Sequence, residues 1–163
     1  MIFSRDEDGP SPHRPLMGLI ILTLLVGASG TPFTEAAIPT WYAGLVKPDF
    51  NPPNWLFAPV WTTLYVLMAV AAWRVWKITG IRSPAMIAWF VQLALNAIWT
   101  PLFFGAHLLL PALIELGLMW AAIAVTLVLF WRKDRIAGLL MLPYLAWVSF
   151  AFALNLEIWR LNG

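Results

Sequence analysis

Residues 41–65 read WYAGLVKPDFNPPNWLFAPVWTTLY, a segment with four prolines, three tryptophans and two charges set between two long apolar runs. Pro48, Pro52, Pro53 and Pro59 each fix φ and remove a backbone donor, so the segment cannot be one continuous helix. Pro59 is tolerable only in the first turn of whatever follows it. The apolar run before the segment, from Leu16 to about Phe33, carries no charge, and the run after it is as long. A helix needs about 20 apolar residues to cross the hydrocarbon core. Both runs therefore read as membrane spans joined by a stiff connection.

Working outward, three more apolar runs follow. The spans are predicted at about 16–33, 56–78, 84–106, 108–131 and 136–158, with residues 34–55 as a long Pro- and Trp-rich loop. None shows the residue-by-residue alternation of a barrel strand, and backbone groups in lipid must be satisfied within the span. The expected fold is an all-α membrane protein, a five-transmembrane-helix bundle over residues 16–162. Residues 1–15 read as a flexible N-terminal tail, because they are Pro-rich and of mixed charge. The composition agrees: of 163 residues, 61% are hydrophobic and 11% charged, with a mean hydropathy of +0.79.

The basic residues set an orientation. Arg5, Arg14, Arg74, Lys77, Arg82, Arg132, Lys133 and Arg135 fall on one side of a five-span topology, and only Lys47 and Arg160 on the other. The positive-inside rule places the N-terminus in the cytoplasm and favours a bacterial inner membrane. The net charge of +2 is then explained by clusters at helix ends, so no nucleic-acid partner is expected.

Two readings fit the opening segment. Trp41, Tyr42, Phe50, Trp55, Phe57 and Trp61 suit an interfacial aromatic belt. They also suit a rigid lid over the open end of the bundle, with Lys47, Asp49, Asn51 and Asn54 able to meet a ligand's charged groups. On the third span Trp89, Gln92, Asn96, Trp99 and Phe103 recur at steps of three and four, hence on one face. Gln92 and Asn96 cannot profitably face lipid, and either bond a neighbouring helix or line a pocket. Tyr144, Trp147, Ala151 and Asn155 repeat the pattern on the fifth span, and Trp61 and Tyr65 lie one turn apart on the second. Pro101 and Pro143 are expected to bend their helices. Small residues such as Gly18, Gly27 and Gly30 on the first span allow close helix approach, within the bundle or between protomers.

The motifs WYAGLVKPDFNPP, VWTTLYVLMAVAAWRVW, NAIWTPLFFG and LPYLAWVSFAFALNLEIWRLN, in this order, resemble the TspO/MBR family of tryptophan-rich sensory proteins, relatives of the mitochondrial translocator protein. The resemblance implies a homodimeric five-helix bundle with a pocket under the first loop for porphyrins, protoporphyrin IX or haem, as ligand rather than obligatory cofactor. By motif it assigns ligand binding to Trp41, Trp61, Tyr65, Asn96, Trp99, Tyr144, Trp147 and Ala151. In some bacterial members the tryptophans matching Trp61 and Trp147 are implicated in light-dependent porphyrin breakdown. Some members are reported in outer membranes. Phe50 departs from the tryptophan that many members carry in the loop. Leu154, Leu156 and Arg160 match the family's sterol motif, but no tyrosine stands between them, which weighs against tight sterol binding.

Conventional enzyme chemistry lacks parts. The chain has no cysteine, His13 lies in the tail, His107 falls at a loop, and the acids within spans are limited to Glu115 and Glu157. No acid, base and nucleophile set is visible, and no metal site is expected. Glu157 and Arg160 most simply pair at the surface. The leading expectation is a membrane receptor that binds tetrapyrroles and senses, moves or buffers them. The alternatives are a light-dependent porphyrin-degrading catalyst and a facilitator of tetrapyrrole or sterol-like transport.

Overall fold

A computed structural model describes residues 14–163; the expected N-terminal tail, apart from Arg14 and Pro15, lies outside the described residues. The elements are α1 (Arg14–Ser29), α2 (Thr31–Ala37), a π turn (Ile38–Tyr42), a 3₁₀ turn (Asn54–Leu56), α3 (Phe57–Thr79), α4 (Pro84–Thr100), a second π turn (Pro101–Gly105), α5 (Leu109–Lys133) and α6 (Arg135–Asn162). Five helical runs are long and apolar enough to cross a membrane: Arg14–Tyr42, Asn54–Thr79, Pro84–Gly105, Leu109–Lys133 and Arg135–Asn162. The five-helix bundle read from the sequence is the observed fold. Around it the helices follow the order α1, α3, α6, α5, α4, with α4 returning to α1.

The ends of these helices follow from local chemistry. Pro84 opens α4, where its missing N–H costs nothing, and Ser83 caps it by accepting the Met86 N–H at 3.3 Å. Gly80 ends α3 with φ of 77°, a conformation a side chain resists, and its N–H returns to the Trp76 carbonyl at 2.8 Å. A single residue, Asp134, turns the chain from α5 into α6. Its Oδ1 accepts the amides of Ile136 and Ala137 at 2.8 and 3.3 Å, and its Oδ2 accepts Arg74 Nε at 2.7 Å from across the bundle.

That junction is pH-sensitive in a defined direction. Burial pushes the Asp134 carboxyl up, but the Arg74 hydrogen bond and the two cap amides outweigh it and hold the group below its ordinary value of 3.8. A carboxylate depressed in the folded state stabilises the fold above the ordinary value, and that contribution is lost as pH falls through the folded one. Asp134→Ala is expected to cost about 1–2 kcal/mol at pH 7, chiefly as a lost cap. Thermal unfolding in detergent should show the gap from wild type at pH 7 narrowing below pH 3.8 as the wild-type carboxyl protonates. A gap independent of pH would mean that the carboxylate charge contributes nothing.

The first connection is shorter than the 34–55 expected. Beyond Gly30, where Pro32 cannot donate to the preceding turn, the helix resumes as α2 and a π turn and runs to Tyr42. Trp41 and Tyr42 are therefore helical, and the connection proper is 43–53. Pro101 ends the α-helical geometry of α4 and opens the second π turn, closed by the Ala106 N–H to the Pro101 carbonyl at 2.8 Å. Each π turn fits an extra residue into its circuit. The two pack face to face, with Tyr42 and Phe104 rings 5.5 Å apart and Trp41 and Phe103 5.5 Å apart. Pro143, by contrast, lies inside an unbroken α6.

The dense core fills the half of the bundle nearer the α3–α4 and α5–α6 turns, around Met68, Met86, Trp89, Met119, Phe130 and Met141, each at most 1% exposed. A smaller cluster of Tyr42, Phe103, Ala112, Leu154 and Ile158 closes the other end. Between the two the packing opens.

Candidate functional site

The opening is a cavity of about 530 Å³ that draws on all five helical runs. One wall pairs Trp61 with Tyr65, rings 5.7 Å apart and 30° from parallel. Another pairs Trp99 with Phe103, 5.0 Å apart and 20° from parallel. Trp147 stands on α6 edge-on to Phe57 at 5.8 Å. Near-parallel ring pairs leave broad π faces for a flat guest, and cavities of roughly 300–1,000 Å³ with a few convergent polar groups are the usual form of small-molecule sites.

The polar tips are few and mostly committed. Asn96 accepts the Tyr65 hydroxyl at 2.6 Å and donates to the Tyr144 hydroxyl at 2.9 Å, tying α3, α4 and α6 beneath the cavity. Trp99 Nε1 donates to Asn155 Oδ1 at 3.3 Å, and Asn155 Nδ2 donates to the Leu109 carbonyl at 3.2 Å. Trp147 Nε1 is buried with no partner among the described residues. An indole N–H in a low-dielectric cavity is costly to leave unpaired and so favours an acceptor on a guest.

The rim points sideways. Leu24, Ala28 and Thr31 on α1 and α2, and Ala58 and Thr62 on α3, all line the cavity and are all exposed. The gap between these helices thus opens toward the lipid-facing surface. It is bounded largely by small side chains, which is how the first span's small residues are used here. Gly27 also lines the cavity, and a methyl group there would overlap Cε2 of Tyr65 and come within 2.8 Å of its Cδ2.

Of the expected ligand-binding residues, Trp61, Tyr65, Asn96, Trp99, Trp147 and Ala151 line the cavity. Tyr144 does not: it is 0% exposed, under the floor, bonded to Asn96. Trp41 does not line it either: at the helix end it is half-buried, edge-on to Phe103. There it stacks on His107 at 4.2 Å and 13°. His107 itself has φ of 58° in the turn that leads into α5. From the sterol-like motif, Leu154 lines the cavity, Leu156 is half-buried outside it, and Arg160 pairs with Glu157 at 2.8 Å on the exposed last turn.

Two of the polar residues of the connection, Lys47 and Asn51, bond within the segment itself. The Tyr42 hydroxyl donates to Asn51 Oδ1 at 3.0 Å, and Lys47 turns to the Leu45 carbonyl at 3.0 Å and over the Tyr42 ring at 4.6 Å. Only Asn54 of the four polar residues expected to meet a ligand lines the cavity. The connection is strapped down by Asn162, whose side chain accepts the Val46 N–H at 2.9 Å and donates to the Val46 carbonyl at 2.8 Å. Nothing in the spacing of Asn162 signals that clasp. Gln92 follows neither of its two expected readings, being fully buried with no partner among the described residues and no place in the cavity lining. Reading by stripes also missed the α1–α2 wall, from Gly27 to Ile38; the recurrence of small and hydroxyl residues at Gly27, Gly30, Thr31 and Thr34 was its only signal.

Five membrane-crossing helices around an internal, aromatic-walled cavity define an integral membrane protein organised about a pocket within its own bundle. The chain belongs to the TspO/MBR family, whose profile matches residues 19–160. It is 45% identical over 139 residues to protein CrtK of Rhodobacter capsulatus, an alignment covering 83% of this chain and 85% of that protein. It is 40% identical over 150 residues to tryptophan-rich protein TspO of Archaeoglobus fulgidus (91% and 97% covered) and 39% identical over 155 residues to the human translocator protein (93% and 92%).

Proposed function

We propose that the protein is a membrane receptor for tetrapyrroles, binding a protoporphyrin-type ring in the internal cavity that Tyr42 and Asn54 border. The observation that carries this is the pairing of two ring walls, Trp61 with Tyr65 and Trp99 with Phe103, around one cavity of about 530 Å³. A flat, largely apolar macrocycle gains stacking on both walls, and Trp147 Nε1 gains an acceptor. Among the described residues the lining contains no histidine, and the reading rests on recognition of the ring by stacking. The sideways rim suits a guest that partitions into the bilayer before it binds. The charge bias supports a cytoplasmic N-terminus and a bacterial inner membrane as part of this reading. Homodimerisation belongs to the same proposal; at Gly18 an added methyl group would meet nothing within 4 Å among the described residues, which leaves room there for a second copy.

The test is a dark titration of detergent-solubilised protein with protoporphyrin IX, followed by tryptophan quenching and the porphyrin absorption band. Saturable binding at micromolar concentration is expected. Removing one stacked indole, in Trp61→Ala or Trp99→Ala, should weaken it roughly tenfold or more, since a stacked ring is worth about 1–3 kcal/mol. Unsaturable partitioning, identical in wild type and variants, would overturn the reading. Because Trp61 and Trp147 both line the cavity, illumination of the same samples separates a receptor from a photochemical catalyst. Light-dependent loss of the bound band that disappears in Trp61→Phe and Trp147→Phe would establish the second.

A further inference from the structure

At the opposite end of the bundle the last turn of α3, the first turn of α4 and the last turn of α5 enclose a second hollow, about 560 Å³ in volume. Its walls are apolar, formed by Ile78, Pro84, Ala85 and Leu129, and Arg132 and Lys133 stand at its edge. Ile78 is 59% exposed, so the hollow is a cleft open to the lipid-facing side rather than a sealed void.

The donors of this cleft sort into spent and unspent. Thr79 Oγ1 donates to the Val75 carbonyl at 3.0 Å and lies 2.8 Å from Ser83 Oγ, which also caps α4. The neutral hydroxyls are thus occupied. At the same end, Asp134 is the only acid among the described residues, and it is held by Arg74 and two cap amides. Lys77 lies 3.4 Å over the Trp73 ring. Arg132 and Lys133 have no carboxylate within ion-pair distance among the described residues. Their position at the C-terminus of α5 suits the helix dipole, but that leaves their N–H donors without an acidic partner among the described residues and does not account for the apolar cleft below them. A cationic edge above an apolar groove, at the depth where a span ends, matches a lipid: phosphate at the cations, acyl chain along the groove.

We infer that this cleft binds the headgroup region of an anionic phospholipid, with Arg132 and Lys133 holding the phosphate and Ile78 and Leu129 flanking an acyl chain. This inference requires only that the chain spans a membrane and is independent of what occupies the aromatic cavity.

The experiment is native mass spectrometry of the full chain in detergent, titrated with phosphatidylglycerol or phosphatidylcholine. Phosphatidylglycerol is expected to bind roughly tenfold or more tightly, as two basic side chains near a headgroup predict. Arg132→Gln with Lys133→Gln should erase the preference, and the charge-conserving Arg132→Lys with Lys133→Arg should restore it. Arg14→Gln with Arg135→Gln removes as much charge from the same end but outside the cleft, and should leave the preference intact. Equal binding of the two lipids overturns the proposal. So does an equal loss in both Gln pairs, which would mean diffuse attraction, or displacement of the lipid by glycerol phosphate at matched concentration, which would mean a site for small anions. Unchanged circular dichroism in each variant shows that a loss is not unfolding.

Discussion

Asn96→Leu is expected to be the most destabilising single replacement among the polar residues of the bundle, at about 2–4 kcal/mol, because it strands two buried hydroxyls at once. Asn96 uses both ends of its amide: Oδ1 accepts from Tyr65 and Nδ2 donates to Tyr144. Tyr144 keeps only a long contact of 3.9 Å to Met119 Sδ, and Tyr65, 8% exposed, has no water to turn to except through the cavity. Leucine keeps the branched shape of the side chain but is bulkier, so the cost adds some overpacking to the lost hydrogen bonds. An interhelical bond in a membrane averages only about 0.6 kcal/mol when both partners are removed in a cycle. Removing one partner is worse, because the orphaned group keeps its desolvation cost. Tyr65→Phe should therefore cost clearly less than Asn96→Leu, since the Asn96–Tyr144 bond survives it. Unfolding in detergent against increasing denaturant measures both. If the two variants cost the same, Tyr144 is satisfied elsewhere and Asn96 is not the hub.

Gly27→Ala is expected to disturb the site more than any other single methyl group. The added Cβ would overlap Tyr65 Cε2 and lie 3.0 Å from its Cζ. The ring cannot simply step aside. Its hydroxyl is fixed to Asn96, its face is stacked near Trp61 at 5.7 Å, and its own carbonyl accepts the Thr23 hydroxyl of α1 at 3.0 Å. Either α1 retreats from α3 or Tyr65 leaves Asn96, and overpacking of this kind costs about 1–3 kcal/mol. Both outcomes deform the wall on which a ring would stack. Protoporphyrin affinity should fall together with thermal stability in this variant. Gly44→Ala is the control, because a methyl group there meets nothing within 4 Å; it should leave both measurements near wild type. Wild-type affinity in Gly27→Ala would mean that the α1–α3 contact plays no part in the site.

These two residues show how unevenly the molecule could be read from its sequence. The five spans were legible because their length and apolarity answer to the bilayer alone, one segment at a time. The inward face of α4 and the π turn after it was legible because Trp89, Gln92, Asn96 and Phe103 repeat with the helical period, and the structure buries all four. Period tells which way a side chain points; it does not tell what lies opposite. Hence Asn96 and Gln92, one turn apart on one face, read alike and differ in the fold: one holds two tyrosines, the other no described partner.

The sequence was enough for the five-helix membrane bundle, for the inward turn of the aromatic and amide stripe from Trp89 to Phe103, and for the family resemblance. Tertiary structure alone decided that Trp41 stacks on His107 outside the cavity, that Tyr144 is sealed beneath it, that Gly27 makes room for Tyr65, and that Asn162 clasps Val46. The physical reason is range. Span length and helical period are properties of a few turns, whereas the Asn96–Tyr144 and Asn162–Val46 bonds join residues 48 and 116 positions apart. Contacts of that kind exist only once the helices have chosen their neighbours, and two π turns have shifted the faces that the period would have assigned.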